Sequence, residues 1–312
     1  MRIEKVDGPV YSQCRIPGMV VTQQGTLLAY YECRKTKCDW AEIDIKIIRS
    51  TDEGETWQQV MLTEGKGNTL NNPVMFVNGG QLHFLFLKNY KTLFHCVSTD
   101  DGMTFSEPRE MTISSDRFYN VVAVGPGHGI VHKGRMIVPV WFAYNREEEL
   151  AHRPSVIATL YSADGDTWQL GEYIGETVLV NPSECALAVT ADNKILISIR
   201  NENEEPYRAF AVSEDGVSGW TVPRFDPRFP DPVCMGSMTH EQGTVYHINC
   251  ASETKREDLV IKVSRDGFQS FESIFVDTPA GYSDIAVKEG ALYVLYERDS
   301  TNGGLYFQKI KR

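Results

Sequence analysis

The chain has 312 residues, 42% of them apolar and 23% charged, which suits one large domain with a substantial core. Its net charge of −11 argues against nucleic acid or an anionic membrane surface as the main partner, and no apolar run is long enough to span a bilayer. Seven cysteines, an odd number without any Cys-x-x-Cys pair, read as buried free thiols of a reducing compartment, with no zinc site expected.

The first residues carry no apolar leader, so a cytoplasmic location is expected. Cys14-Arg15-Ile16-Pro17 then sets a charge at the edge of a strand, an unusual place for one. Leu27–Arg34 ends on Tyr31-Glu32-Cys33-Arg34, and Cys38-Asp39-Trp40 follows. The alternating run Ile43-Asp44-Ile45-Lys46-Ile47-Ile48 reads as a half-buried strand. It leads into Ser50, Asp52, Gly54, Thr56 and Trp57, a Ser-x-Asp-x-Gly-x-Thr-Trp phrase. The phrase returns at Ser98, Asp100, Gly102, Thr104 and Phe105. Beyond a glycine-rich loop, Gly125-Pro126-Gly127-His128-Gly129, the stretch 147–152 is the one place where a short helical turn is expected.

A third phrase, one residue shorter, runs through Ser162, Asp164, Gly165, Thr167 and Trp168. Asn181-Pro182-Ser183-Glu184-Cys185 precedes a strand over 195–199, which ends at Arg200-Asn201. A worn phrase at Ser213, Asp215, Gly216 and Trp220 follows. Arg256 stands just before the strand 259–263, and a second worn phrase begins at Ser264, Asp266, Gly267 and Phe271. The chain closes with Gly281-Tyr282-Ser283-Asp284 and strands over 291–297 and 304–310.

The phrases step by 48, 64, 51 and 51 residues, a period that marks an all-β, six-bladed β-propeller filling residues 1–312 as a single domain. Each phrase reads as a hairpin staple. Its Asp accepts backbone N–H groups, its Gly takes a positive φ, and its aromatic folds back on the blade core. Five copies serve a scaffold rather than one active site. The sixth blade lacks the phrase, and the C-terminal strands are expected to close it against the N-terminal segment, removing open sheet edges.

In a propeller the inner strand ends converge on the axis. Arg15, Arg200 and Arg256 lie at strand edges in different repeats, and from position they read either as a carboxylate clamp or as ordinary surface ion pairs. Taken alone, Asp39 reads as a turn residue, Tyr282 as a packed aromatic, Glu184 as a loop carboxylate and His128 as a solvated loop histidine. Trp40 and Trp141 suit either a pocket wall or the core, and Arg208 rivals Arg200 for the second clamp position.

Taken together and in order, these segments resemble the sialidases (neuraminidases) of bacterial and animal type over nearly the full length. Arg15-Ile16-Pro17 is similar to the family's Arg-Ile-Pro motif, and the repeated phrase to its Asp-box. The resemblance implies Asp39 as acid/base, Tyr282 as nucleophile and Glu184 as its partner. It implies a clamp of Arg15, Arg200 and Arg256, with Glu297 orienting Arg15 and Arg34 contacting a sugar hydroxyl. Cys14 replaces the usual aromatic, and Pro182-Ser183 stand where many relatives place Asn before the Glu.

The implied activity is retaining exo-α-sialidase hydrolysis of terminal sialic acid from a sialylated glycan, with no metal or organic cofactor. Sialidases are the recognised tyrosine exception among glycosidases. A neutral phenol avoids the repulsion that an anionic nucleophile would meet beside the substrate carboxylate, but near pKa ~10 it needs a base. Two alternatives keep the fold. One is a hydrolase or transglycosylase for a related 2-keto-3-deoxy acid, and the other is a propeller lectin without catalysis. Oligomeric state leaves no signal in the chain.

Overall fold

Apolar residues at alternate positions turn the chain into short strands with two faces, and these strands pair into six sheets, antiparallel except where Gly127–His128 runs parallel to Leu70–Asn78. The structure, a computed structural model, describes residues 1–4, 10–299 and 304–311, and every regular element among them is a β-strand. The stretch 147–152 holds a turn at Glu149 and Leu150 and no helix.

From the axis outward, blade 1 consists of Gln13–Val21, Leu27–Arg34, Ile43–Ser50 and Gln58–Thr63. Blade 2 is Leu70–Asn78, Gln81–Lys88, Thr92–Ser98 and Arg109–Met111. Blade 3 is Val121–Val124, Arg135–Ala143, Ser155–Ser162 and Gln169–Leu170. Blade 4 is Cys185–Val189, Ile195–Ile199, Tyr207–Ser213 and Arg224–Pro230. Blade 5 is Ser237–Glu241, Thr244–Cys250, Leu259–Ser264 and Glu272–Asp277. Blade 6 takes Ser283–Lys288, Ala291–Asp299 and Gly304–Ile310 from the C-terminus and Arg2–Glu4 from the N-terminus.

That last pairing accounts for the missing phrase. In blades 1 to 5 the Asp turn joins the third strand to the fourth, whereas in blade 6 those two strands come from opposite ends of the chain. The first turn shows the mechanism: Asp52 accepts the Thr56 N–H (2.9 Å) and hydroxyl (2.5 Å), while Ser50 Oγ accepts the Gly54 N–H (2.8 Å). Such bonds pull the carboxyls of Asp52, Asp100, Asp164 and Asp266 down to about 2. Gly54 is required twice, by its φ of 92° and because a Cβ would lie 2.2 Å from the Phe307 ring.

The aromatics of the phrase seal seams as well as their own blades. Trp57 meets Phe307 of blade 6 edge-on at 5.3 Å, and Trp168 meets Phe76 of blade 2 at 6.0 Å. Phe105, Trp220 and Phe271 likewise pack into clusters shared with the preceding blade. The expectation of an aromatic folded onto its own blade was too local. Burying a large ring contributes about 1.5–3 kcal/mol, here placed where neighbouring blades must hold together.

Asp284 ties the inner strands at the axis. Its fully buried carboxylate accepts the Met19 N–H of blade 1 (2.7 Å), the Ser237 hydroxyl of blade 5 (2.5 Å) and His128 Nδ1 (2.8 Å). His128 is thus a structural partner of Asp284, its side chain 9% exposed rather than solvated.

Candidate active site

Innermost strands run the same way around the axis, so their starting ends gather on one face, together with the ends of the second strands. The Asp turns, between third and fourth strands, fall on the opposite face. Arg15 lies near the start of the first strand of blade 1, while Glu184 and Tyr282 immediately precede those of blades 4 and 6. Arg34 ends the second strand of blade 1, and Arg200 follows that of blade 4. Asp39 and Arg256 sit on the next loops of blades 1 and 5, and Glu297 on the second strand of blade 6.

A pocket of about 260 Å³ gathers all of these residues except Glu297, which stands behind Arg15. Arg15 reaches the axis through a bulge: the register shifts between Arg15 and Gly18, and Ile16 holds a φ of 57°. A β-branched residue there is strained, and the strain is held by the Ile16 N–H donating to Glu297 Oε1 (3.1 Å). Gly18 completes the bulge, since a Cβ would sit 2.0 Å from the Tyr30 ring. Glu297 grips the Arg15 fork at both ends, Nε to Oε1 (3.0 Å) and Nη2 to Oε2 (3.3 Å).

Tyr282 stands at the centre. Its hydroxyl donates to the Glu184 carboxylate, 2.6 Å from Oε1 and 2.9 Å from Oε2, and accepts from Arg200 Nη1 at 2.6 Å. The guanidiniums of Arg15 and Arg256 lie 5.0 and 5.1 Å from its ring centroid. Burial raises the phenol well above its ordinary value, with Glu184 adding to the rise and Arg200, Arg256 and Arg15 opposing it. The phenol is therefore neutral at rest and has its proton acceptor already in contact. Arg200 also pairs with Glu184, and its buried Nε has no partner among the described residues.

On the facing wall, Arg34 is engaged at all three nitrogens: Nε and Nη2 on Glu32 (2.8 and 2.6 Å) and Nη1 on Asp39 (2.5 Å). Its side chain is only 2% exposed, and it lines the pocket while holding Asp39. Burial works to raise the Asp39 carboxyl, but Arg34, with help from His152 and Arg15, outweighs it and the net shift is downward. Arg208 lies outside the pocket, fully buried and paired with Asp231 at 2.7 Å.

Five guanidiniums, those of Arg15, Arg34, Arg153, Arg200 and Arg256, face three carboxylates in the lining, those of Asp39, Glu184 and Glu202. The pocket is locally basic in a chain of net charge −11. Trp141 is part of the wall, whereas Trp40 packs behind it against Tyr90 and His152, each at 4.8 Å. Sequence reasoning missed Asn72, Tyr90, His152 and Arg153 in this lining. It also passed over Glu32, whose signal was present: a lone acid inside the apolar run Leu27–Arg34, every residue of which is buried. Cys38 is exposed, unlike the other six cysteines, and the Cys14 thiol meets the Cys33 sulfur at 3.7 Å with no disulfide between them.

A family model described as a BNR repeat-like domain matches residues 58–294. A sialidase of Bacteroides fragilis is 26% identical over 95% of this chain and 62% of its own length. Among solved structures, the Hadza microbial sialidase Hz136 superimposes with a TM-score of 0.83 at 23% identity, covering 96% of this chain and 66% of that one. A Trypanosoma rangeli sialidase in complex with 2,3-difluoro-KDN superimposes at 0.78 with 19% identity, over 98% of this chain and 55% of that one. At these identities the structural likeness speaks for the fold, and the chain spans less than two thirds of each of these three relatives.

Proposed function

The chain belongs to the sialidase family of BNR-repeat propellers, and from that membership and the pocket's geometry we propose that it is a retaining exo-α-sialidase. The observation that carries the reading is the Tyr282 hydroxyl 2.6 Å from Glu184 Oε1, within a pocket lined by three convergent arginines. A lectin would need the arginines alone.

Arg15, Arg200 and Arg256 would bind the carboxylate on the substrate's anomeric carbon and orient the ring. Tyr282 Oη attacks that carbon while Glu184 accepts the phenolic proton and the three guanidiniums favour the developing phenolate. The bond to the leaving oxygen breaks as Asp39 gives that oxygen its proton. Arg34 holds Asp39 low, and the arriving substrate carboxylate pushes it back up toward the acid form. In the second half Asp39 takes a proton from water, whose oxygen attacks the anomeric carbon. The bond to Tyr282 Oη breaks, and Glu184 returns the proton to it. Two displacements give net retention. The pocket volume of about 260 Å³ suits one substituted sugar ring, hence action at a chain end.

The test is release of fluorophore from an α-ketoside of N-acetylneuraminic acid, beside the matching deaminated ketoside. The Tyr282→Phe variant should lose roughly 10³-fold or more in kcat while still binding a sialic acid analogue. No release of either fluorophore by well-folded protein, or full activity in the variant, would sink the reading.

A further inference from the structure

A second pocket, of about 410 Å³, opens on the same face of the propeller, across a ridge from the axial site. The ridge is the loop 144–154, between the second and third strands of blade 3. Its inner flank gives His152 and Arg153 to the axial pocket, and its outer flank gives Tyr144 and Arg146 to the second. The segment 171–184 is shared in the same way, with Tyr173 and Glu176 on the outer side and Ser183 and Glu184 on the inner.

The ridge is pre-formed. Asn120 Nδ2 donates to the carbonyls of Glu149 (2.8 Å) and Ala151 (3.1 Å). Asn145 Oδ1 accepts the N–H groups of Glu147 and Glu148 (2.9 Å each), and Asn145 Nδ2 donates to the Arg153 carbonyl (2.9 Å). The walls of the second pocket are therefore set before any ligand arrives.

Its lining combines aromatic faces with planar hydrogen-bonding groups. Phe118 and Tyr144 are 47% and 40% exposed, a large aromatic area to leave in water. Arg117 lies 4.0 Å over the Tyr173 ring and pairs with Glu176, which fixes a donor fork beside acceptor oxygens. Arg146 lies 4.6 Å over Phe118. Two arginines balance Asp116 and Glu176, so the lining is formally neutral and has no net field for an anion. Apolar ring faces, a fixed donor–acceptor pair and no net charge match a neutral pyranose, which offers a flat C–H face and a rim of hydroxyls.

We propose that this pocket is a second saccharide-binding cleft, which takes the neutral sugars of a glycan. Continuity over the ridge suits the inner residues of the chain whose terminal sugar enters the axial pocket. That last step rests on the proposed sialidase activity, while saccharide binding in the cleft does not.

The experiment follows N-acetyllactosamine by saturation-transfer NMR with the axial pocket blocked by 2-deoxy-2,3-dehydro-N-acetylneuraminic acid. Transfer to the disaccharide should persist under the block and fall at least about fivefold in a Phe118→Ala/Tyr144→Ala variant, as for loss of an aromatic anchor. Phe118→Ala alone, at an exposed position, provides the same readout should the double variant fail to fold. A kinetic arm compares a sialylated oligosaccharide with a small fluorogenic ketoside: the variant should raise KM for the first about threefold or more and leave the second unchanged. Absence of transfer in the wild type, or equal transfer in the variants, overturns the cleft. If no ketoside is hydrolysed yet transfer depends on Phe118, the cleft stands and the catalytic reading falls.

Discussion

Replacing Asp284 by Asn tests whether one buried carboxylate holds the ring closed beneath the site. Oδ1 accepts from Ser237, from His128 and from the Ile285 N–H, while Oδ2 accepts from the Met19 N–H. An Asn amide has one acceptor oxygen, and in its best orientation it turns an NH₂ toward the Met19 N–H. One buried donor is then left unsatisfied, at about 1–3 kcal/mol, and the remaining bonds drop from charge-assisted to neutral, at about 1 kcal/mol each. With three such bonds the total is about 4–6 kcal/mol, close to the range for removal of one partner of a buried pair. At about 2 °C per kcal/mol for a domain of this size, Tm should fall by about 8–12 °C. Ser237→Ala, which removes one of these charge-assisted bonds, should cost about 1.5–3 kcal/mol.

The pH dependence has a definite sign. Burial works to lower His128, but Asp284 overrides it, and the net shift is upward. A histidine raised on folding adds stability that is fully present below its unfolded value of about 6.5 and is lost as pH rises through its folded value. The Tm gap between wild type and Asp284→Asn should therefore be widest below about pH 6.5 and narrow as pH rises above it. The subtraction removes the common contribution of the other histidines. Thermal melts followed by circular dichroism between pH 5 and 9 give both quantities, and a fall under about 2 °C or a gap independent of pH would refute the reasoning.

Three further outcomes follow from the site. Asp39→Ala should cost about 10²–10⁴-fold in kcat with a sugar leaving group and far less with an aryl leaving group that needs no proton; equal losses on both substrates would remove Asp39 from the acid role. Arg256→Ala takes away one of two guanidiniums stacked about 5 Å from the Tyr282 ring, so KM should rise together with a fall in kcat, and steady-state kinetics with KM unchanged would place Arg256 outside the carboxylate clamp. Of seven cysteines only Cys38 is exposed, so the native protein should react quickly with about one equivalent of a disulfide thiol reagent and with the rest only on unfolding; two or more fast equivalents would contradict the burial.

The blades could be read from the chain because their signals are local. The bond from Thr56 to Asp52 spans four residues, and the alternation of Ile43–Ser50 marks a strand, although the ring buries both of its faces and not the half that alternation suggests. The absent sixth phrase was legible too, since a third and a fourth strand from opposite termini cannot share a hairpin. The seam role of Trp57 was not legible, because Phe307 lies 250 residues away.

By itself, then, the sequence determined the number of blades, their register and the residue types able to do glycosidic chemistry. Short-range hydrogen bonds and side-chain alternation act within a few residues and leave a direct trace in the letters. Only the closed ring decided that Glu184 meets Tyr282 from 98 residues away, that Glu297 grips Arg15 from 282 away, and that a pocket lined by Phe118 and Tyr144 opens beside them. Those contacts depend on where six blades place their strand ends around one axis, a distance in space that no spacing along the chain records.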